Sequence, residues 1–164
     1  MSSGPAWRRV VVGVDPSYAG LEAVRTAVDL ARRQHGGLVA VRAWMFTPVW
    51  RPGAMTGLWR AEHARAAAVL VREVFDAALG GVPGTVPLEV RVEQGYAGQV
   101  LVDHACRDGD LLVVGAPTRS RFGGGHVTRY CVSRAVVPVV AVPASRWARA
   151  ETIRRFGRNL ERPA

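Results

Sequence analysis

Lysine is absent from this chain: all 22 basic side chains are arginine, a bias that reads as genomic composition rather than chemistry. With no lysine there is also no Walker A phosphate loop. Cysteine is scarce. Cys106 and Cys131 are the only two, and their spacing matches neither a metal site nor a redox pair, so reduced thiols in the cytoplasm are expected. No apolar run approaches the length of a membrane span, and the opening MSSGPAWRRVVVGVD lacks a signal-peptide core and cleavage site. No helix-turn-helix, zinc-finger or RNA-binding signature accompanies the net charge of +9, so nucleic acid is not the expected partner. Ser17 and Thr128 have no histidine at readable spacing, and no paired-carboxylate metal motif occurs, so an enzyme is not expected.

What is present is periodic apolar sequence, 49% of 164 residues, enough for one domain with its own core. Val10–Val14 is a buried-type strand that ends at Asp15, and Asp15-Pro16-Ser17 is a turn that starts a helix. Leu21, Val24, Val28 and Ala31 recur on one helical face within Gly20–His35, and Gly36-Gly37 stops that helix. Leu38–Trp44 is a second strand, which completes a βαβ unit with a parallel pair. Met45–Gly57 reads as a loop, and Leu58–Leu79 as a long alanine-rich helix. Leu88–Val92 alternates as an edge strand does, and Ala97–Arg107 is a short helix with Val100, Leu101 and Ala105 inward.

The organising stretch is Asp110–Val142. It reads as a strand (Leu111–Val114), a glycine-rich loop through Gly123, Gly124 and Gly125, a helix (Val127–Val137), and a last strand (Val139–Val142) after Pro138. Glycines let backbone N–H groups approach an anion, and the following helix adds the positive end of its dipole. The alternation of five strands with four helices predicts a three-layer α/β/α open sandwich around a parallel, Rossmann-like sheet. In such sheets ligands bind beyond the carboxyl ends of the strands, where the strand order reverses. If the first and fourth strands are neighbours, Asp15 and Gly115 share that crevice. Residues 144–164 form an arginine-rich tail after a domain of residues 7–143; in it Trp147, Ile153, Phe156 and Leu160 fall at near-helical spacing.

VVVGVDPS, EQGYAGQVLVDHA, DLLVVGAP and GHVTRYCVSRAVVPVVAVP together resemble the universal stress protein family over about residues 7–143. The resemblance implies a five-stranded sheet of order 3-2-1-4-5, a homodimer formed through the last strand, Val139–Val142, and, as in many members, ATP in the crevice. It implies a stress-response regulator without fast turnover. The family's ATP motif, Gly-x2-Gly-x9-Gly-Ser/Thr, maps its first glycine onto Gly115. Thr118 then replaces the second glycine, only six residues (Arg119–Gly124) precede Gly125, and His126 replaces the Ser/Thr. On this mapping Gly115, Thr118, Gly124, Gly125, His126 and Val127 surround the phosphates, and Arg119 and Arg121 supply guanidinium contacts. Asp15 meets the adenosine side, and Ala43 lies at the adenine-contacting strand end. The shortened motif leaves a second reading open, a nucleotide-free dimeric module that binds other proteins. A nucleotidyl transferase or ATP pyrophosphatase would need a different signature after the first strand than Asp15-Pro16-Ser17-Tyr18.

Overall fold

In a computed structural model that describes residues 7–45, 56–116 and 125–145, the chain folds as β1(Arg9–Gly13), α1(Tyr18–Arg33), β2(Gly37–Trp44), α2(Thr56–Leu79), β3(Leu88–Gln94), α3(Ala97–His104), β4(Asp110–Ala116), α4(His126–Arg134) and β5(Val139–Pro143). The five strands form one parallel sheet of order β3-β2-β1-β4-β5. The order reverses between β1 and β4, where Val12 pairs with Val113.

The sheet has helices on both faces, which explains why its central strands are apolar without alternation. Val10, Val12 and Val14 face α1 and α2, where they pack with Ala23, Val24, Ala27, Val28, Val71, Val74 and Phe75. Val11 points the other way, toward Val39, Val41, Val100, Leu101, Leu112, Val114 and Cys131 beneath α3 and α4. The buried face of α1 is mostly alanine, so its backbone lies close on the sheet.

Several element ends differ from the sequence reading, each for a local reason. Helix α1 starts at Tyr18, not Gly20, because Ser17 caps it: the Gly20 N–H donates to Ser17 Oγ at 3.1 Å. It ends at Arg33, and the left-handed turn residue is His35 (φ 51°) rather than a glycine. Helix α2 starts at Thr56, not Leu58, and takes in Gly57; the good helix formers that follow outweigh one glycine. Helix α3 stops at His104 instead of Arg107. Its end is taken over by side chains, since Arg9 Nη2 donates to the His104 carbonyl (2.8 Å) and the Asp110 carboxylate accepts the Arg107 N–H (2.9 Å). Helix α4 stops at Arg134, three residues before Val137. Ala135 is extended, Val136 is 78% exposed and so gains nothing from another turn, and Pro138 disfavours a helical Val137.

Candidate functional site

The crevice predicted at the strand-order reversal is present as a cavity of about 350 Å³ at the carboxyl end of the sheet. Asp15, Ala43, Gly115, Gly125, His126 and Val127, all anticipated from the sequence, line it together. Thr118, Arg119, Arg121 and Gly124 lie outside the described residues, as do Gly123, residues 46–55 of the stretch read from the sequence as a loop, and residues 146–164 of the stretch read as a tail. The lining also includes residues that the sequence reading gave no place in the site, among them Gly13, Ser17, Arg42, Ala97 and Thr128.

The floor is apolar. Val14, Val41, Leu101 and Val114 line the cavity and are each less than 5% exposed. The rim is built to receive negative charge. The first turns of α1, α3 and α4 all contribute lining residues, namely Ala19, Ala97 and His126–Thr128, and none of those first turns carries an acidic side chain. Three positive helix ends therefore meet around one space. Helix α1 is capped by Ser17, but Tyr96 and Gly125, the N-cap residues of α3 and α4, make no side-chain cap bond. The first-turn N–H groups of those two helices have no intrahelical acceptor, which leaves donors at the rim. Arg42 adds a guanidinium. Its Nη1 donates to the Val14 carbonyl at 3.0 Å, and its Nε is buried with no hydrogen-bond partner among the described residues. The signal for Arg42 was its being the one charge within an otherwise apolar strand.

Asp15 is the single carboxylate among the described residues that line the cavity. It is exposed and already engaged: Ser17 Oγ donates to Oδ2 at 2.7 Å and the Ser17 N–H donates to Oδ1 at 3.3 Å. Each carboxylate oxygen keeps a second acceptor site, so Asp15 can still receive a ligand donor. Thr128 ties the two sides of the crevice, because its hydroxyl donates to the Gly115 carbonyl at 2.9 Å.

Gly115 has a structural reason beyond ligand approach. A Cβ there would lie 2.8 Å from the Ala19 carbonyl carbon and 2.9 Å from both the Ala19 oxygen and the Gly20 nitrogen, so the first turn of α1 is seated directly on β4. These are backbone atoms, which cannot rotate away. Gly115→Ala is therefore expected to cost about 1–3 kcal/mol. Equilibrium urea denaturation reads that loss, and an unchanged midpoint would contradict the packing described.

Three rings gather where α3 and α4 begin, and one of them, His126, lines the cavity. The Tyr96 ring lies 6.0 Å from that of His126 and 5.6 Å, edge-on, from that of Tyr130, whose hydroxyl donates to Gln99 Oε1. Cys131 is fully buried behind them, and burial pushes its thiol up to about 11, so it packs and does not react near neutrality. Among the described residues no cluster of histidine, cysteine and carboxylate side chains suits a metal ion.

The universal stress protein family model matches residues 6–143. No curated protein matches the chain. Among solved structures, the universal stress protein UspA from Lactobacillus plantarum is 23% identical, with a TM-score of 0.64 over 85% of this chain and 99% of that one. A universal stress protein in complex with cAMP is also 23% identical, with a TM-score of 0.53 over 85% of this chain and 99% of that one. An Arabidopsis thaliana universal stress protein family member with AMP bound is 19% identical, with a TM-score of 0.51 over 84% of this chain and 92% of that one. At these identities the likeness establishes the shared fold.

Proposed function

Because the chain belongs to the universal stress protein family, we propose that its crevice holds an adenine nucleotide and that it serves as a homodimeric, non-enzymatic regulator of a stress response in the cytoplasm. The observation that carries the nucleotide is the division of the cavity, an apolar floor able to take a flat base below a rim of helix N-termini suited to phosphate. Relatives of the same fold described with cAMP and with AMP support that ligand class. ATP is the finer form of the same reading, with Arg119 and Arg121 serving the outer phosphates of the shortened motif.

Binding without turnover is the reading that the lining groups support. The one lining carboxylate among the described residues accepts the Ser17 hydroxyl, whose oxygen in turn accepts the Gly20 N–H as the cap of α1, so both groups are committed to the turn that starts that helix. The cytoplasmic placement rests on two free cysteines, one of them exposed, and no helix among the described residues is long and apolar enough to cross a membrane.

The two sheet edges differ in a way that favours pairing through β5. The β3 edge presents Glu89, Arg91 and Glu93, with an ion pair between Glu89 and Arg91. The β5 edge, Val139–Pro143, carries no charge and leaves Ala141 exposed. Uncharged edges pair and charged edges resist it. Sedimentation is expected to show a dimer for the intact chain and a monomer for Ala141→Glu, which sets like charges against each other across the pair. A monomeric parent protein would contradict the proposal.

Calorimetric titration with AMP, cAMP and ATP tests the ligand. A dissociation constant in the micromolar range, about −8 kcal/mol, is expected for at least one of them. No heat with any of the three would favour the nucleotide-free interaction module instead.

A further inference from the structure

Helix α4 opens with a histidine at the place where an anion would be received. His126 is exposed, lines the cavity and directly follows Gly125, whose φ of 103° turns the chain into the helix. Its ring sits 6.0 Å from that of Tyr96, so it stands in the gap between the N-cap of α3 and the first turn of α4. The charged and titratable groups around it come from several elements. Asp15 lies on the β1–α1 connection and Arg42 on β2; Tyr96 faces it from the N-cap of α3; Arg129 and Tyr130 follow on its own helix. The lone carboxylate in that set is already held by Ser17.

A fixed positive charge at a helix N-terminus is opposed by the helix dipole, unless an anion lies between them. Imidazole is the side chain whose charge can follow the anion. We infer that His126 is a specificity-determining residue of this site: as imidazolium it donates to a phosphate oxygen of the bound nucleotide, so binding is coupled to the uptake of one proton from solvent. The inference rests on the reading of the cavity as a nucleotide site and adds to it the group that recognises phosphate and the condition under which it does so. The sign is fixed by the chemistry. Imidazole ordinarily takes up its proton near pH ~6.5, and a neighbouring phosphate favours the protonated form. Affinity is therefore highest on the acid side and falls as pH rises. A His126 that only packed against Tyr96 would give no such slope.

The test is calorimetric titration of the full chain with cAMP at about pH 6 and about pH 8, in buffers of differing ionisation enthalpy. The phosphodiester of cAMP has no second ionisation, whereas the phosphate of AMP titrates near pH ~6 and would add its own slope. Tightening of about three- to tenfold at the lower pH is expected, together with net proton uptake; a full tenfold would correspond to about one pH unit of linkage. His126→Gln keeps a donor without a titrating charge and is expected to give a flat profile. Because His126 is exposed, the variant folds as the parent does. If cAMP does not bind but AMP or ATP does, the same comparison is made with that nucleotide, and the difference in slope between parent and variant isolates His126. Binding with no slope, or a slope that survives in His126→Gln, overturns this inference and leaves the nucleotide reading standing. If cAMP, AMP and ATP all fail to bind at either pH, the nucleotide reading fails and this inference with it.

Discussion

Gly125→Asp is expected to abolish nucleotide binding, with affinity falling by about a hundredfold or more, while the protein stays folded. Two effects combine. The residue sits at φ 103°, where a side chain costs about 1–3 kcal/mol of backbone strain. The new carboxylate would also stand at the N-terminus of α4, the place proposed for phosphate, and placing like charges together costs several kcal/mol, at about 1.4 kcal/mol per tenfold. Gly125→Ala separates the two, since it shares the strain and lacks the charge. It should lose stability comparably but far less affinity. Titration and thermal denaturation of both variants read this directly. Equal affinities for the parent and Gly125→Asp would move the ligand away from α4.

Asp110→Asn is expected to produce the largest loss of stability. Asp110 is 2% exposed at the amino end of β4, the opposite end of the sheet from the crevice. It accepts Arg9 Nε at 2.8 Å, Arg9 Nη2 at 2.6 Å and the Arg107 N–H at 2.9 Å. Burial alone would raise its carboxyl. The hydrogen bonds from Arg9 and Arg107 and the charges of both outweigh it, so the group is held below the usual carboxylate range. The Arg9 guanidinium is correspondingly raised, first by its bond to Asp110. Neutralising the carboxylate leaves Arg9, only 18% exposed, without its counter-charge, at a cost of about 3 kcal/mol. For a chain of this size that lowers the melting temperature by roughly 6–12 °C. A depressed carboxyl contributes stability above its unfolded value, about 4, and loses it as pH falls further. The parent protein should therefore show an acid limb below about pH 4 that is shallower in Asp110→Asn. Superimposable acid limbs would show that the pair contributes little.

These two sites differ in how far the sequence disclosed them. The crevice was legible because its lining comes from strand ends. Val10–Val14 and Leu111–Val114 read as buried strands, and once β1 and β4 pair, Asp15 and Gly115 must share one end of the sheet. The turn at Asp15-Pro16-Ser17 was legible for a similar reason, since it is local, although the bond by which Ser17 caps the helix and starts it at Tyr18 was not read. Contacts between distant residues were not. Arg9 and Asp110 are 101 positions apart, and their pair decides where α3 ends. Arg42 lies within a strand that reads as buried, and nothing local says that its guanidinium reaches the Val14 carbonyl. The reason for glycine at 115 is likewise tertiary, because α1 rests on it.

The claim that a nucleotide occupies the crevice is tested most directly by mapping backbone amide shifts by NMR during titration with AMP. The N–H groups of His126, Val127 and Thr128 at the start of α4, together with those of Asp15, Ala43 and Gly115, are expected to move first and furthest. Shifts confined to another face of the molecule, or none at saturating nucleotide, would contradict the account.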